Sequence, residues 1–87
     1  MTMDLREEIR RHILESYLPG EDPSQLQDDD NLIESGVLDS MSIARFVGHL
    51  QSTYGVRISP SEIVYENLGS VNGVTRFMEK KRGEAGR

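Results

Sequence analysis

DNLIESGVLDSM, residues 30–41, is the stretch that decides the fold of this 87-residue chain, because a polar segment ends there and a helix begins. Asp39 is typical of a helix N-cap, and Gly36 permits the backbone turn that presents the following residues at the end of the loop. Ser40 then opens the helix. Its hydroxyl is therefore predicted to lie near unpaired backbone N–H groups, where the helix dipole stabilises an anion. Taken alone, the pair Asp39–Ser40 is fully explained by capping.

The helix that follows is predicted over 40–54, with Gly55 as its stop. One face of it is formed by Met41, Ala44, Val47 and Leu50. Gly48 falls mid-helix, where it costs about 1 kcal/mol relative to Ala. Such a residue serves close packing or leaves space beside the core, and both alternatives are open.

The segment before residue 30 is predicted to be a helix over 4–18 followed by a long loop over 19–38. Apolar residues recur at helical spacing in the helix, Asp4 and Glu7 have the spacing of a capping box, and Pro19–Gly20 ends it. The aspartate run 28–30 lacks the alternating ligands of a calcium loop and is interpreted as solvated. Because such a long loop is uncommon in a small domain and carries buried-looking aliphatics, we expect it to be ordered and functional.

The C-terminal part is predicted to hold a short helix over 60–66, introduced by Ser59–Pro60, and a last helix capped by Ser70. From Gly83 onward the chain is expected to fray. The fold class is therefore all-α, with three longer helices, one short helix and a long loop between helices 1 and 2. We expect one domain over 1–82 and a disordered tail over 83–87.

Composition excludes several classes of protein. The formal charge of −5 and pI near 4.9 argue against nucleic acid as the main partner. The chain has no cysteine and two histidines, so it offers neither a disulfide framework nor a metal cluster. No apolar run approaches the roughly 20 residues that span a bilayer, and the N-terminus lacks a signal-peptide pattern. A cytoplasmic monomer is the expectation.

The spacing of Asp30, Leu32, Gly36, Asp39 and Ser40 resembles the attachment motif of acyl and peptidyl carrier proteins. With the helix order around it, the resemblance covers roughly residues 4–80. It implies a four-helix bundle in which a phosphopantetheinyl transferase, using coenzyme A, esterifies Ser40 with a 4'-phosphopantetheine arm. The arm's thiol then holds an acyl or aminoacyl group as a thioester, and the carrier itself is not an enzyme.

The resemblance also implies a recognition surface around the serine, formed by Leu38, Asp39 and Met41. Asp39 is expected to help the transferase bind its metal ion. For Met41, partner contact and ordinary packing are equally open. Arg45 and His49, both expected to be exposed on the same helix, are further candidates for partner contact.

The family's subtypes differ around the serine. Leu38–Asp39–Ser40–Met41 is similar to D-alanyl carriers and stand-alone acyl carriers rather than to peptidyl carriers, which commonly have Gly-Gly-His-Ser. Residues 40–54 contain no Asp or Glu, whereas carriers of primary fatty acid synthesis show carboxylates there that meet basic partners. We therefore expect a specialised pathway of secondary-metabolite or modified-lipid synthesis, with a loading ligase and downstream acyl-transfer enzymes as partners. The rival interpretation is a small helical protein-interaction module without a cofactor.

Overall fold

The computed structural model describes the backbone of residues 4–85 and the side chains of residues 4–83. This range contains no β-strand and four α-helices: α1 (Leu5–Tyr17), α2 (Ser40–Tyr54), α3 (Tyr65–Leu68) and α4 (Val71–Ala85). Two 3-10 turns, Pro23–Gln25 and Pro60–Glu62, lie in the connections. The predicted all-α class with three longer helices and one short helix is confirmed. None of the helices in the described range has the length and apolar character needed to cross a membrane.

Helices α1 and α2 run antiparallel, as two tyrosine contacts at their opposite ends show. The Tyr54 hydroxyl at the end of α2 donates to the Glu8 carboxylate near the start of α1, at 3.3 Å. The Tyr17 hydroxyl at the end of α1 donates to the Ser42 carbonyl in the first turn of α2, at 3.4 Å. The end of α1 therefore lies beside the start of α2, which is where Ser40 is found.

The core is built from all four helices and from the connections between them. Because a single small core must supply most of the stability of a domain this size, several apolar residues of the connections, such as Leu26, Leu32 and Leu38, are buried along with those of the helices. The most deeply buried side chains are Phe46, Ile9, Ile13, Leu32, Leu38, Leu50, Leu68, Met78, Val71 and Val74.

Aspartates 28 and 29 hold the long loop against α1 and α4, in addition to being partly exposed to solvent as expected. The Asp28 carboxylate pairs with Arg10 at 3.3 Å and with Arg6 at 3.9 Å, both on α1. The Asp29 carboxylate accepts a hydrogen bond from the Asn72 side chain on α4, at 2.6 Å. Ion pairs and a hydrogen bond thus hold the loop against two helices.

The short helix differs from the prediction over 60–66. The capping signal does operate, since the Ser59 backbone N–H donates to the Glu62 carboxylate at 2.9 Å, but it starts only the 3-10 turn Pro60–Glu62. Val64 is extended, with φ −130° and ψ 161°, and α3 begins one residue later at Tyr65. The predicted helix is therefore a 3-10 turn and a one-turn α-helix, separated by a bend.

The last helix begins as predicted, because the Ser70 hydroxyl accepts a hydrogen bond from the Gly73 backbone N–H at 3.0 Å. It continues to Ala85 and so passes Gly83, where fraying was expected to begin. Residues 1–3 of the proposed domain and residues 86–87 of the proposed tail lie outside the described residues.

Candidate attachment site

A tight turn leads the chain toward Ser40, and Asn31 organises it. The Asn31 side-chain oxygen accepts hydrogen bonds from the backbone N–H groups of Ile33 at 3.1 Å and Glu34 at 2.8 Å. Gly36 closes the turn through its N–H to the Ile33 carbonyl, at 3.1 Å. Its φ of +85° lies in the left-handed region, which glycine adopts at little cost. The predicted role of Gly36 in turning the backbone is confirmed.

Two buried leucines fix this turn to the body of the protein. Leu32 and Leu38 are 0% and 1% exposed, and the Leu38 N–H donates to the Leu32 carbonyl at 2.9 Å. The Leu32 N–H in turn donates to the Gly69 carbonyl, at 2.7 Å. The placement of Leu38 on the recognition surface is therefore wrong, because its side chain points into the core and acts by holding the loop in front of Ser40.

Asp39 and Ser40 form the boundary between loop and helix. Asp39 is extended, and its carboxylate accepts a hydrogen bond from the Ser42 backbone N–H at 2.8 Å. Hydrogen bonding to Ser42 lowers the pKa of the Asp39 carboxyl. Ser40 is the first residue of α2 and is exposed, and its hydroxyl has no hydrogen-bond partner within residues 4–85. A hydroxyl in this position is accessible and sits where the helix dipole favours an attached anion.

The face of α2 beside Ser40 is open to solvent. Met41 is 70% exposed, and Ala44 and Arg45 are also exposed. The grouping of Met41, Ala44, Val47 and Leu50 on one face is wrong, because Val47 and Leu50 are buried whereas Met41 and Ala44 are exposed. The buried residues of α2 are Phe46, Val47 and Leu50. Met41 and Arg45 are thus available to a partner, and their role in partner contact stays a prediction.

His49 is half-buried rather than freely exposed, which corrects the expectation for this residue. Its ring stacks on that of His12 from α1, with 3.5 Å between centroids and 1° between planes. The ring of Phe46, also on α2, lies parallel to the His12 ring, with 5.8 Å between centroids. Burial lowers the pKa of both imidazoles, and the neighbouring His49 lowers that of His12 further. His49 therefore packs at the α1–α2 interface, and its part in partner contact stays a prediction.

Gly48 resolves one of the alternatives that the sequence left open. A Cβ atom built on Gly48 would meet no other atom within 4 Å, and the residue is exposed. Close packing is therefore not its role, and the space beside it opens to solvent.

Sequence reasoning missed an exposed apolar segment between the second 3-10 turn and α3. Ile63, Val64 and Tyr65 are 38%, 46% and 52% exposed. The signal was present as a run of apolar residues, but the predicted continuous helix assigned them no surface role. Exposed apolar side chains in a group often mark a contact with another protein.

The chain belongs to the acyl carrier protein family of phosphopantetheine-binding proteins. Residues 11–78 match the family described as "Phosphopantetheine attachment site". Its covalent cofactor is 4'-phosphopantetheine. The chain is accordingly a carrier rather than an enzyme, and it acts with partner enzymes such as transferases and ligases.

Curated relatives narrow the comparison to one type of carrier. The chain is 33% identical over 72 residues to the D-alanyl carrier protein of Streptococcus suis strain 98HAH33. The matched residues make up 83% of this chain and 87% of the relative. The chain is 30% identical over 80 residues to the D-alanyl carrier protein of Streptococcus thermophilus strain LMD-9, covering 92% and 98% of the two chains. The similarity thus extends over nearly the whole length of both relatives.

Proposed function

We propose that Ser40 carries the 4'-phosphopantetheine arm and that the arm presents an aminoacyl group, as a thioester, to partner enzymes. The observation that carries this proposal is the exposed hydroxyl of Ser40 at the first position of α2, which has no hydrogen-bond partner among the described side chains. Asp39 caps the same turn, and the buried Leu38 fixes the loop before it.

The chemistry of attachment requires little of Ser40 itself. Its hydroxyl gives up a proton to a base on the transferase and forms a phosphodiester with the phosphopantetheine half of coenzyme A, while the nucleotide half leaves. The new phosphodiester lies at the positive end of the α2 dipole, where the free N–H groups of the first turn stabilise its charge. Once bound, the arm supplies a thiol that holds the cargo as a thioester.

The aminoacyl cargo is supported by two independent features. The relatives described above are D-alanyl carriers, and α2 has no carboxylate in its first turn. Arg45 is exposed on that helix and would repel the basic surface patches that meet acidic carriers. Both features favour a dedicated loading ligase and a specialised pathway over housekeeping fatty acid synthesis.

Partner contact is proposed for the exposed surface around the serine, with Met41 as its apolar element and Asp39 as the group that helps the transferase hold its metal ion. A methionine suits a surface that must adapt to several enzymes, because its side chain is flexible and polarizable. A cytoplasmic location is proposed together with this function, since coenzyme A and the loading enzymes must reach Ser40.

The test of attachment is an intact-mass measurement after incubation with coenzyme A, magnesium and a broad-specificity phosphopantetheinyl transferase. The wild-type protein gains one arm and Ser40→Ala gains none. The matched control is Ser42→Ala, which removes a hydroxyl two residues away but keeps the backbone N–H that Asp39 accepts. We expect this control to gain the arm.

An unchanged wild-type mass with several transferases would refute the assignment and favour the rival interpretation, a helical interaction module without a cofactor. Arm attachment to Ser40→Ala would refute the choice of residue. The cargo is tested next by offering the arm-bearing protein to an aminoacyl-loading ligase and a fatty-acyl ligase in parallel. Loading by the fatty-acyl ligase alone would refute the aminoacyl proposal and leave the attachment site intact.

A further inference from the structure

An apolar groove of about 500 Å³ lies in the long loop, apart from the surface on which Met41 and Arg45 are exposed. Its apolar lining comes from Leu18, Leu26, Leu32 and Val37. Leu26 and Leu32 are 3% and 0% exposed, so they belong to the core, and the apolar surface open to a ligand comes from the half-buried Leu18 and Val37. Grooves of this size, with an apolar base and a few polar groups, are suited to binding small ligands.

The groove lies at the same end of the molecule as Ser40. Val37, which lines the groove, precedes Ser40 by three positions. Leu18, also in the lining, follows Tyr17, whose hydroxyl donates to the Ser42 carbonyl in the first turn of α2. The groove therefore lies close to Ser40, where a flexible arm attached to that residue can approach it.

The ionisable side chains that line the groove are all acidic. Four carboxylates border the groove, those of Glu21, Asp22, Asp30 and Glu34, and no Lys, Arg or His among the described side chains lines it. Asp22, Asp30 and Glu34 accept hydrogen bonds from neutral N–H groups. None of the four forms an ion pair within the described part of the chain. The lining therefore complements a ligand that is small, partly apolar and positively charged.

We propose that this groove receives the α-ammonium end of the aminoacyl group on the protein's own arm. The inference rests on the proposed function, which supplies both the arm and the aminoacyl cargo. The small apolar side chain of the aminoacyl group packs on Leu18 and Val37, and the ammonium faces the carboxylates. A single exposed ion pair is weak, but tethering raises the effective concentration of the ligand to roughly millimolar, so weak contacts suffice.

The experiment compares two arms that differ only in the amine. One batch of arm-bearing protein carries an alanyl thioester and the other a propionyl thioester, which lacks the amino group. Backbone amide shifts are recorded at pH ~6.5, below the usual α-amino pKa of about 7.7–8.0, so that the amine is charged. We expect amides of the segment 18–37 to shift with the alanyl arm and to stay near their unloaded positions with the propionyl arm.

Variants and salt identify the source of the shifts. Glu34→Gln keeps the oxygen that accepts from Asn31 and removes the charge, and Glu21→Gln removes a second one. Each is expected to lose a large part of the alanyl-specific shifts. Glu79→Gln is the matched control, because it removes an exposed carboxylate from α4 that does not line the groove, and it should preserve the shifts. Salt near 1 M shortens the Debye length to about 3 Å and should reduce the shifts as well.

The outcomes separate the two proposals. Equal shifts with both arms, or groove amides unchanged by either arm, overturn the inference while arm attachment stands. Alanyl-specific shifts that survive in both groove variants also overturn it. A protein that takes no arm at Ser40 overturns the proposed function, and the inference falls with it.

Discussion

Two helical glycines, one in the middle of α2 and one in the first turn of α4, give the sharpest test of the packing, because the same substitution should act in opposite directions at each. At Gly48 on α2, an added Cβ would meet nothing within 4 Å. At Gly73 on α4, it would lie 2.7 Å from the backbone carbonyl oxygen of Glu66. The perturbations are Gly48→Ala and Gly73→Ala.

The expected magnitudes follow from these distances. Glycine in a helix interior is about 1 kcal/mol less favourable than alanine, so Gly48→Ala should raise the free energy of unfolding by about 1 kcal/mol. For a domain of this size that corresponds to a Tm increase of about 4–8 °C. At Gly73 the methyl group meets backbone, which cannot move away cheaply, and overpacking of this kind costs roughly 1–3 kcal/mol. Gly73→Ala should therefore lower the free energy of unfolding.

The assay is urea unfolding followed by circular dichroism, with thermal melts as a second measurement. Equal m-values in the three proteins would show that the compactness of the unfolded state is unchanged. A Gly48→Ala protein less stable than wild type would refute the open space at that position. A Gly73→Ala protein as stable as Gly48→Ala would refute the close contact between α3 and α4.

Two further predictions concern Asp39 and the histidine pair. Asp39→Asn should melt close to wild type, because Asn caps as well as Asp, but should take up the arm more slowly for lack of the carboxylate. Asp39→Ala should melt at a lower temperature. For His12 and His49, whose pKa values are lowered on folding, the unfolded state binds more protons, so stability is full above a pH of about 6.5 and falls as the pH decreases below it. The slope of the free energy of unfolding has a limit of about 1.4 kcal/mol per pH unit for each histidine, and the partial exposure of both rings keeps it smaller.

Controls decide these two predictions separately. Wild-type modification rates in Asp39→Asn would refute a role of the charge and leave the cap intact, whereas equal melting of the Ala and Asn variants would contradict the cap. For the histidines, the double variant His12→Gln/His49→Gln should lose the part of the pH dependence of urea unfolding that lies near pH ~6.5, whereas the part caused by carboxyls such as Asp39, whose pKa is also lowered, lies at lower pH and should remain. The same slope in this variant would show that other groups cause it.

The boundaries of α2 could be predicted from the sequence because both signals are local. Asp39 caps the first turn through its own side chain, and Gly55 ends the helix in the left-handed region, with φ 65°. Neither signal depends on distant residues. The position of Ser40 at the helix start follows directly, and so the centre of the candidate site was accessible to sequence reasoning.

The features that sequence reasoning missed depend on distant partners. The Asp28 carboxylate pairs with two arginines on α1. The His49 ring of α2 stacks on His12, which also lies on α1. No spacing within the loop or within α2 reveals such pairs. The prediction of a continuous helix over 60–66 was wrong for a related reason, because one turn of helix has little stability of its own. There the Asn67 side chain, bonded at 2.8 Å to the Glu62 carbonyl, helps fix a bend that propensity does not predict.

The hydrogen bond from Leu32 to Gly69 has a consequence for the order of events during protein synthesis. The loop in front of Ser40 is held by a carbonyl that the ribosome adds only after all of α2 and α3, and by Asn72 in the helix after that. A nascent chain that has just exposed Ser40 therefore lacks the framework that positions it. The framework around Ser40 is complete only once α4 has docked, so the proposed arm attachment is expected to follow the docking of α4.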